Sequence, residues 1–138
     1  MEGLKDKKGP SFIHEFKHSI LVLGDHQFFK GYSVLLFKNH ARDITDLDPL
    51  IQNEFFKELM LSGKAVKKAF HSNRINYSCL GNFVEHIHYH IFPRTDEDLE
   101  KDEDKNPWSH SDKFSEYLIS EKEMLERCRI IKENISSA

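Results

Sequence analysis

Val84-Glu85-His86-Ile87-His88-Tyr89-His90-Ile91-Phe92-Pro93 sets three imidazoles at every second position. In an extended chain successive side chains point to opposite faces, so His86, His88 and His90 are expected on one face and Ile87, Tyr89 and Ile91 on the other. The pattern predicts a strand over Val84 to Phe92, ended by Pro93, which has no N–H to give a sheet. One face is suited to packing and the other to chemistry, because imidazole is the side chain whose unperturbed pKa lies closest to neutrality. A metal site is the rival reading. At a rise of about 3.3 Å per residue, the Cα atoms of His86 and His90 would lie roughly 13 Å apart. A zinc–nitrogen bond is only about 2.0–2.1 Å long, so a regular strand cannot close all three rings on one ion. Two rings could still ligate with help from elsewhere, but no second Cys/His cluster with ligand spacing occurs.

Working outward, Ile75 to Leu80 reads as a preceding strand and Gly81-Asn82 as a break, which together suggest a hairpin whose turn lies beside the imidazole row. Phe12 to Phe16, Ile20 to Leu23 and Tyr32 to Phe37 read as an antiparallel meander, with Gly24-Asp25-His26-Gln27 supplying turn residues before the third run. Asp48 followed by Pro49 has the chemistry of a helix start: Asp can accept backbone N–H bonds, and Pro gives up a donor that has no partner there. Ile51, Phe55, Leu59, Val66 and Phe70 recur at helical spacing from Leu50 to Phe70. Asp96 to Lys105 is mostly acidic without hydrophobic periodicity and is expected to be a solvated, mobile segment. Ser120-Glu121-Lys122-Glu123 is a capping box opening a final helix through Met124, Leu125, Cys128, Ile131 and Ile135.

The expected class is α+β: an antiparallel meander sheet with a long central helix and a C-terminal helix. At 138 residues, 1–138 is one domain's worth of chain, with a core over about 12–108 and a helical extension over about 120–135. Hydrophobic residues make up 38% and charged residues 31%, and eleven phenylalanines supply much of the apolar bulk. A net charge of −3 offers no footprint for a long nucleic acid. Two cysteines without repeated spacing read as free thiols in a reducing compartment. The first ten residues are polar, with no long apolar run after them, so neither a signal peptide nor a membrane span is expected, and a cytoplasmic location follows.

His86-Ile87-His88-Tyr89-His90-Ile91-Phe92 resembles the His-φ-His-φ-His-φ-φ signature of the histidine triad (HIT) superfamily without a mismatch. Leu80-Gly81-Asn82 and Pro93-Arg94 on its flanks resemble HIT hydrolases of the diadenosine tetraphosphate hydrolase type. So do Gly24-Asp25-His26-Gln27, Gly31-Tyr32, Lys38-Asn39-His40 and Asp46-Leu47 upstream, and Pro107-Trp108 downstream. The resemblance implies a HIT-like fold, usually a homodimer, that binds a nucleotide and cleaves it at the α-phosphate through a covalent nucleotidyl-histidine.

It assigns His88 as nucleophile, with His86 and His90 lining the α-phosphate and His90 the better placed to supply a proton near the leaving group. Asn82 and Gly81 are expected beside the phosphates, Asp25 at the ribose hydroxyls, and Gln27 and His26 as weaker neighbours of the same kind. Lys38 and Arg94 are possible counter-charges for a polyphosphate. Phe83 departs from branches that carry Ser or Thr there, so a hydroxyl donor is missing. No cofactor held by the protein is implied, with Mg2+ open as a companion of the substrate polyphosphate. Dinucleoside polyphosphates or related nucleoside-phosphate conjugates are the implied substrates. The alternatives are a nucleoside phosphoramidase or nucleotidylated-adduct hydrolase, and a slow-turnover purine-nucleotide binding protein. For assembly, Phe55, Phe56, Leu59, Met60 and Leu61 cover more of the long helix than one core stripe needs, which points to a homodimer through that helix and the strand from Ile75.

Overall fold

Residues 9–82 and 86–135 are described by the computed structural model. Five antiparallel strands form one sheet: β1 (Phe12–Glu15), β2 (Ser19–Leu23), β3 (Ser33–Phe37), β4 (Arg74–Ser78) and β5 (His88–Arg94), in the order β1-β2-β3-β5-β4. Three helices accompany them: α1 (Pro49–Ala69), α2 (Asp96–Lys101) and α3 (Glu121–Glu133), with a 3₁₀ segment over Pro107–Glu116. The meander and both long helices thus fall where the sequence pattern places them. β5 inserts between β3 and the edge strand β4, so the histidine strand is paired on both sides.

Alternation along the strands gives the sheet two different faces. Leu21, Leu23, Leu35, Phe37 and Ile91 point into the main core under α1 and α3, where Phe55, Leu59, Val66 and Ile131 meet them. Ile20, Val22, Val34 and Phe92 point the other way into a smaller aromatic cluster with Phe29, Tyr32 and Phe114. His88 and His90 share that second face. Glu58, buried on α1, ties the helix to the β1–β2 turn: its carboxylate accepts from Ser19 Oγ at 2.6 Å and from the His18 N–H at 3.1 Å.

Four local expectations are corrected. β5 begins at His88 instead of Val84, so His86 and Ile87 precede it, and Val84 itself lies outside the described residues. It also runs through Pro93 to Arg94. The Arg94 carbonyl accepts from Asn73 N at 2.9 Å on the β4 side, so alternation turns the Pro93 nitrogen toward the other flank. There β3 has already ended, with Ser33 opposite Ile91, and a missing donor costs nothing. Asp48 does precede α1, yet its side chain makes no capping bond, because this exposed first turn can be served by water. Ser120 caps α3 as expected, accepting from Glu123 N at 3.2 Å, while the Glu123 carboxylate faces Arg127.

The fourth correction is larger. The acidic run forms α2, capped by Thr95, and docks on Arg94, which is completely buried. Arg94 Nε donates to Asp98 at 2.7 Å and Nη2 to Asp102 at 2.8 Å, while Nη1 donates to Asn76 Oδ1 and to the Lys105 carbonyl. The guanidinium also lies 4.8 Å from the centre of the Phe29 ring. A buried cation needs its charge and its hydrogen bonds matched, and the acidic residues supply both. His110 on the 3₁₀ segment donates to Asp102 at 2.9 Å, and this bond holds the Asp102 carboxyl down at about 2.

Replacing Arg94 with Leu strands two carboxylates beside a buried apolar side chain, and is expected to cost about 3–5 kcal/mol of unfolding free energy in a urea titration. The stabilisation from Asp102 is complete above its ordinary carboxylate range and is lost as pH falls toward about 2. An Asp102→Asn variant should therefore differ most from wild type near neutrality and converge with it in strong acid.

Candidate active site

The registers of β5 put Leu36 of β3 opposite His88 and place His90 between Val34 of β3 and Ser78 of β4. His88 is buried, at 8% exposure, and His90 is partly exposed. Their ring centroids are 4.8 Å apart at 77°, edge to face. His88 Nδ1 lies 2.7 Å from the carbonyl of His86. A carbonyl can only accept, so Nδ1 carries a proton, and in the neutral ring the lone pair lies on Nε2, which has no hydrogen-bond partner among the described residues. His86 is not a third member of the strand face. Its ring Nε2 donates to the Phe37 carbonyl at the end of β3, and the neighbouring Ile87 carbonyl accepts from Phe37 N at 3.0 Å. His86 therefore fastens the start of β5 to β3 by its side chain and orients His88 by its carbonyl.

His90 sits in an aromatic enclosure. Trp108 meets it edge-on at 4.7 Å and donates its indole N–H to Ser78 Oγ at 3.0 Å. Tyr32 and Phe92 stack near it, and the Tyr32 hydroxyl lies 2.7 Å from His90 Nδ1. Burial, with help from the neighbouring His88 and His26, lowers the His90 pKa to about 4, so the ring is neutral at physiological pH. His26 is likewise pushed down by burial. It stacks between Phe114 at 3.9 Å and Tyr32 at 4.6 Å, and its Nδ1 is buried without a partner.

The remaining candidates are distributed less evenly. Gln27 is buried and its carboxamide is committed to the turn: Nε2 donates to the Tyr32 and His26 carbonyls, and Oε1 accepts from Gly31 N and Arg127 Nη1. It braces the loop that carries Asp25, which is exposed. Gly81, in the left-handed region at φ 66, and the exposed Asn82 line a polar cleft with Arg42, Asp43 and Asp46. Among the described residues no hydrogen bond joins Asn82 to the histidines. Lys38 pairs with Glu15 at 2.6 Å, and Arg94 is enclosed by its carboxylates, so neither is a loose counter-charge. Phe83 lies outside the described residues. Spacing could not have revealed Tyr32 as the partner of His90, because the two are 58 residues apart.

The comparisons with known proteins agree with this geometry. Residues 6–97 match the HIT domain, well over half of the chain. The chain belongs to the HIT domain family. A solved histidine triad protein from Sinorhizobium meliloti superposes with a TM-score of 0.76 at 23% identity, covering 89% of this chain and 87% of that one. One from Bradyrhizobium japonicum gives 0.76 at 19% identity, covering 96% and 97%. Plasmodium falciparum diadenosine triphosphate hydrolase gives 0.63 at 18% identity, covering 93% and 78%. Among curated proteins none matches. HIT membership points to nucleotide binding or hydrolysis, and the superpositions establish the shared α+β HIT-like fold. Among the described residues no helix is long and apolar enough to cross a membrane, and no group of three His, Cys, Asp or Glu is arranged to hold a metal.

The enclosure around His90 has little slack. A Cβ on Gly24 would lie 2.1 Å from the Tyr32 ring, so Gly24→Ala must push Tyr32 off its stack on Phe92. Overpacking of this kind costs about 1–3 kcal/mol. The variant should melt at a lower temperature by calorimetry and show a changed His90 ring signal by NMR, with the His88 signals less affected.

Proposed function

We propose that this HIT protein is a nucleotide hydrolase that cleaves at the α-phosphate of dinucleoside polyphosphates or related conjugates, with His88 as the covalent nucleophile. The observation that carries this reading is the bond from His88 Nδ1 to the His86 carbonyl, which leaves the lone pair to Nε2, a nitrogen with no hydrogen-bond partner among the described residues. In the proposed reaction Nε2 attacks the α-phosphorus in line, and the bond to the departing phosphate breaks. Because Nδ1 keeps its proton, the intermediate carries a cationic ring, which makes it a good leaving group when water attacks. His90 supplies a hydrogen bond within the site, and Asn82 and Asp25 are the proposed phosphate and ribose contacts. Gln27 and Gly81 contribute through the loops that carry them. The mechanism uses no metal held by the protein, and Mg2+ would enter with the polyphosphate. The choice of dinucleoside polyphosphates rests on the sequence flanking the triad and agrees with the activity named for the Plasmodium relative. Two free thiols, Cys79 exposed and Cys128 buried, suit a reducing, cytoplasmic setting.

Assembly as a homodimer belongs to the same proposal, with its residues revised. Phe55 and Leu59 are spent in the monomer core, whereas on α1 Phe56 is 59% and Met60 36% exposed, and on edge strand β4 Tyr77 is 40% exposed. An edge strand with unpaired backbone groups next to apolar side chains is the surface that a second copy would cover. Light scattering should give the mass of two chains, and Phe56→Glu should shift it toward one.

Replacing His88 with Ala should abolish release of nucleoside monophosphate from diadenosine polyphosphates while leaving the circular dichroism spectrum unchanged. A variant turning over within a few-fold of wild type would refute the assignment. Mass spectrometry on rapidly quenched wild type should find a nucleotidyl adduct on the peptide containing His88. Binding of purine nucleotides without any cleavage would instead identify a sensor.

A further inference from the structure

Tyr32 and His90 form a closed pair within the site proposed above. The tyrosine is 4% exposed, with its ring stacked on His26 and Phe92. Its hydroxyl has one proton, and among the described residues the single acceptor in reach is His90 Nδ1, at 2.7 Å. Burial raises the phenol pKa, so that proton stays on throughout the neutral range. The hydroxyl therefore donates to Nδ1, and the His90 proton must reside on Nε2. That nitrogen has no hydrogen-bond partner among the described residues and lies on the same face as the lone pair of His88.

The groups facing His90 come from every neighbouring element. His88 lies on its own strand, Ser78 on β4, His26 and Tyr32 on the β2–β3 connection, and Trp108 on the 3₁₀ segment. The carboxylate of Asp25 acts on Tyr32 and His26. None of these favours a charged His90, whose pKa is lowered to about 4. A neutral imidazole can donate a hydrogen bond, but it does not surrender its remaining proton at neutral pH.

We infer that Tyr32 is a positioning residue that selects the leaving group: by pinning His90 as a neutral Nε2–H donor, it makes the site cleave phosphoanhydrides in preference to phosphoramidates. The inference rests on His88 being the nucleophile. With an anhydride, a bond forms from His88 Nε2 to phosphorus and the bond to the bridging oxygen breaks. The electron pair stays on that oxygen, which leaves as part of a phosphate anion, and His90 keeps its proton while hydrogen-bonding to it. With a phosphoramidate, the electron pair would stay on nitrogen, and an amine can leave only if a proton reaches it. A His90 held neutral has none to release.

The experiment compares wild type, Tyr32→Phe and His88→Ala on diadenosine tetraphosphate and on an adenosine phosphoramidate with an alkylamine leaving group. Wild type should favour the anhydride in kcat/KM by about 100-fold or more, the usual contribution of a general acid that the amine would lack here. Tyr32→Phe keeps the ring but strands His90 Nδ1, so anhydride turnover should fall about tenfold. With the donor to its lone pair gone, His90 should protonate more readily, moving the acid limb of the kcat profile to higher pH and narrowing the ratio between the substrates. ¹⁵N NMR should find His90 as the Nε2–H tautomer in wild type and as a mixture in the variant. Equal rates on both substrates in wild type, or an unchanged tautomer and ratio in Tyr32→Phe, would overturn the inference while an inactive His88→Ala leaves the nucleophile in place. An active His88→Ala would instead remove the nucleophile reading. Should Tyr32→Phe fail to fold, the wild-type tautomer and substrate ratio still decide.

Discussion

The pairing of β5 with β3 sets Leu36 opposite His88 and Val34 opposite His90. Because the side-chain period of a strand is two, a slip of one residue would turn both imidazoles into the apolar layer under α1 and bring Tyr89 and Ile91 to the open face. Several contacts hold this register. The Phe37 carbonyl takes the His86 ring N–H and the Phe37 N–H reaches the Ile87 carbonyl, so the last residue of β3 grips the chain just before β5 begins. The grip places the His86 carbonyl under His88 Nδ1. Strand register and the proton on His88 Nδ1 are thus set by the same backbone contacts.

The far end of β5 is held by charge. Arg94 lies on the same face as His88, His90 and Phe92, at a depth where an unpaired guanidinium would be very costly. The acidic helix α2 and the loop after it supply its carboxylates, and through Asp102 and His110 they also hold the 3₁₀ segment that carries Trp108 against His90. Replacing such an ion pair with apolar residues is often neutral for stability, so its value here lies in geometry: it fixes where the roof of the site sits.

Most of the fold was legible because it rests on periodicity. The meander, the long helix after Pro49 and the helix after Ser120 all write their buried faces into local spacing. The acidic run misled because its partner is set by tertiary burial: nothing local says that the residue after Pro93 lies in the interior. Likewise alternation placed His88 and His90 correctly, but His86 follows the end of β3 and not the period of β5. Asp25 and Gln27 are neighbours in sequence, yet one is exposed and the other is spent on bracing its own turn. Tyr32 was unreadable as a partner of His90 because their hydrogen bond joins the residue just before β3 to β5, a relation that only the sheet order creates.

The proposed polyphosphate substrate would bring negative charge that favours protonated histidines, so under that proposal the neutrality of His90 has to survive its binding. Its pKa starts at about 4. Half-protonation at pH 7 would require an upward move of about 3 pH units, the top of the range that a neighbouring opposite charge produces. The aromatic enclosure resists that move in two ways: it limits the solvation of an imidazolium, and it directs the Tyr32 proton at the one lone pair that would have to accept the new one. His88, with Nδ1 on a backbone carbonyl, has no such donor against it. The two histidines are chemically alike and two residues apart, and opposite hydrogen-bond partners at Nδ1, an acceptor for one and a donor for the other, give their Nε2 atoms the opposite characters that the proposed division between attack and hydrogen-bond donation requires.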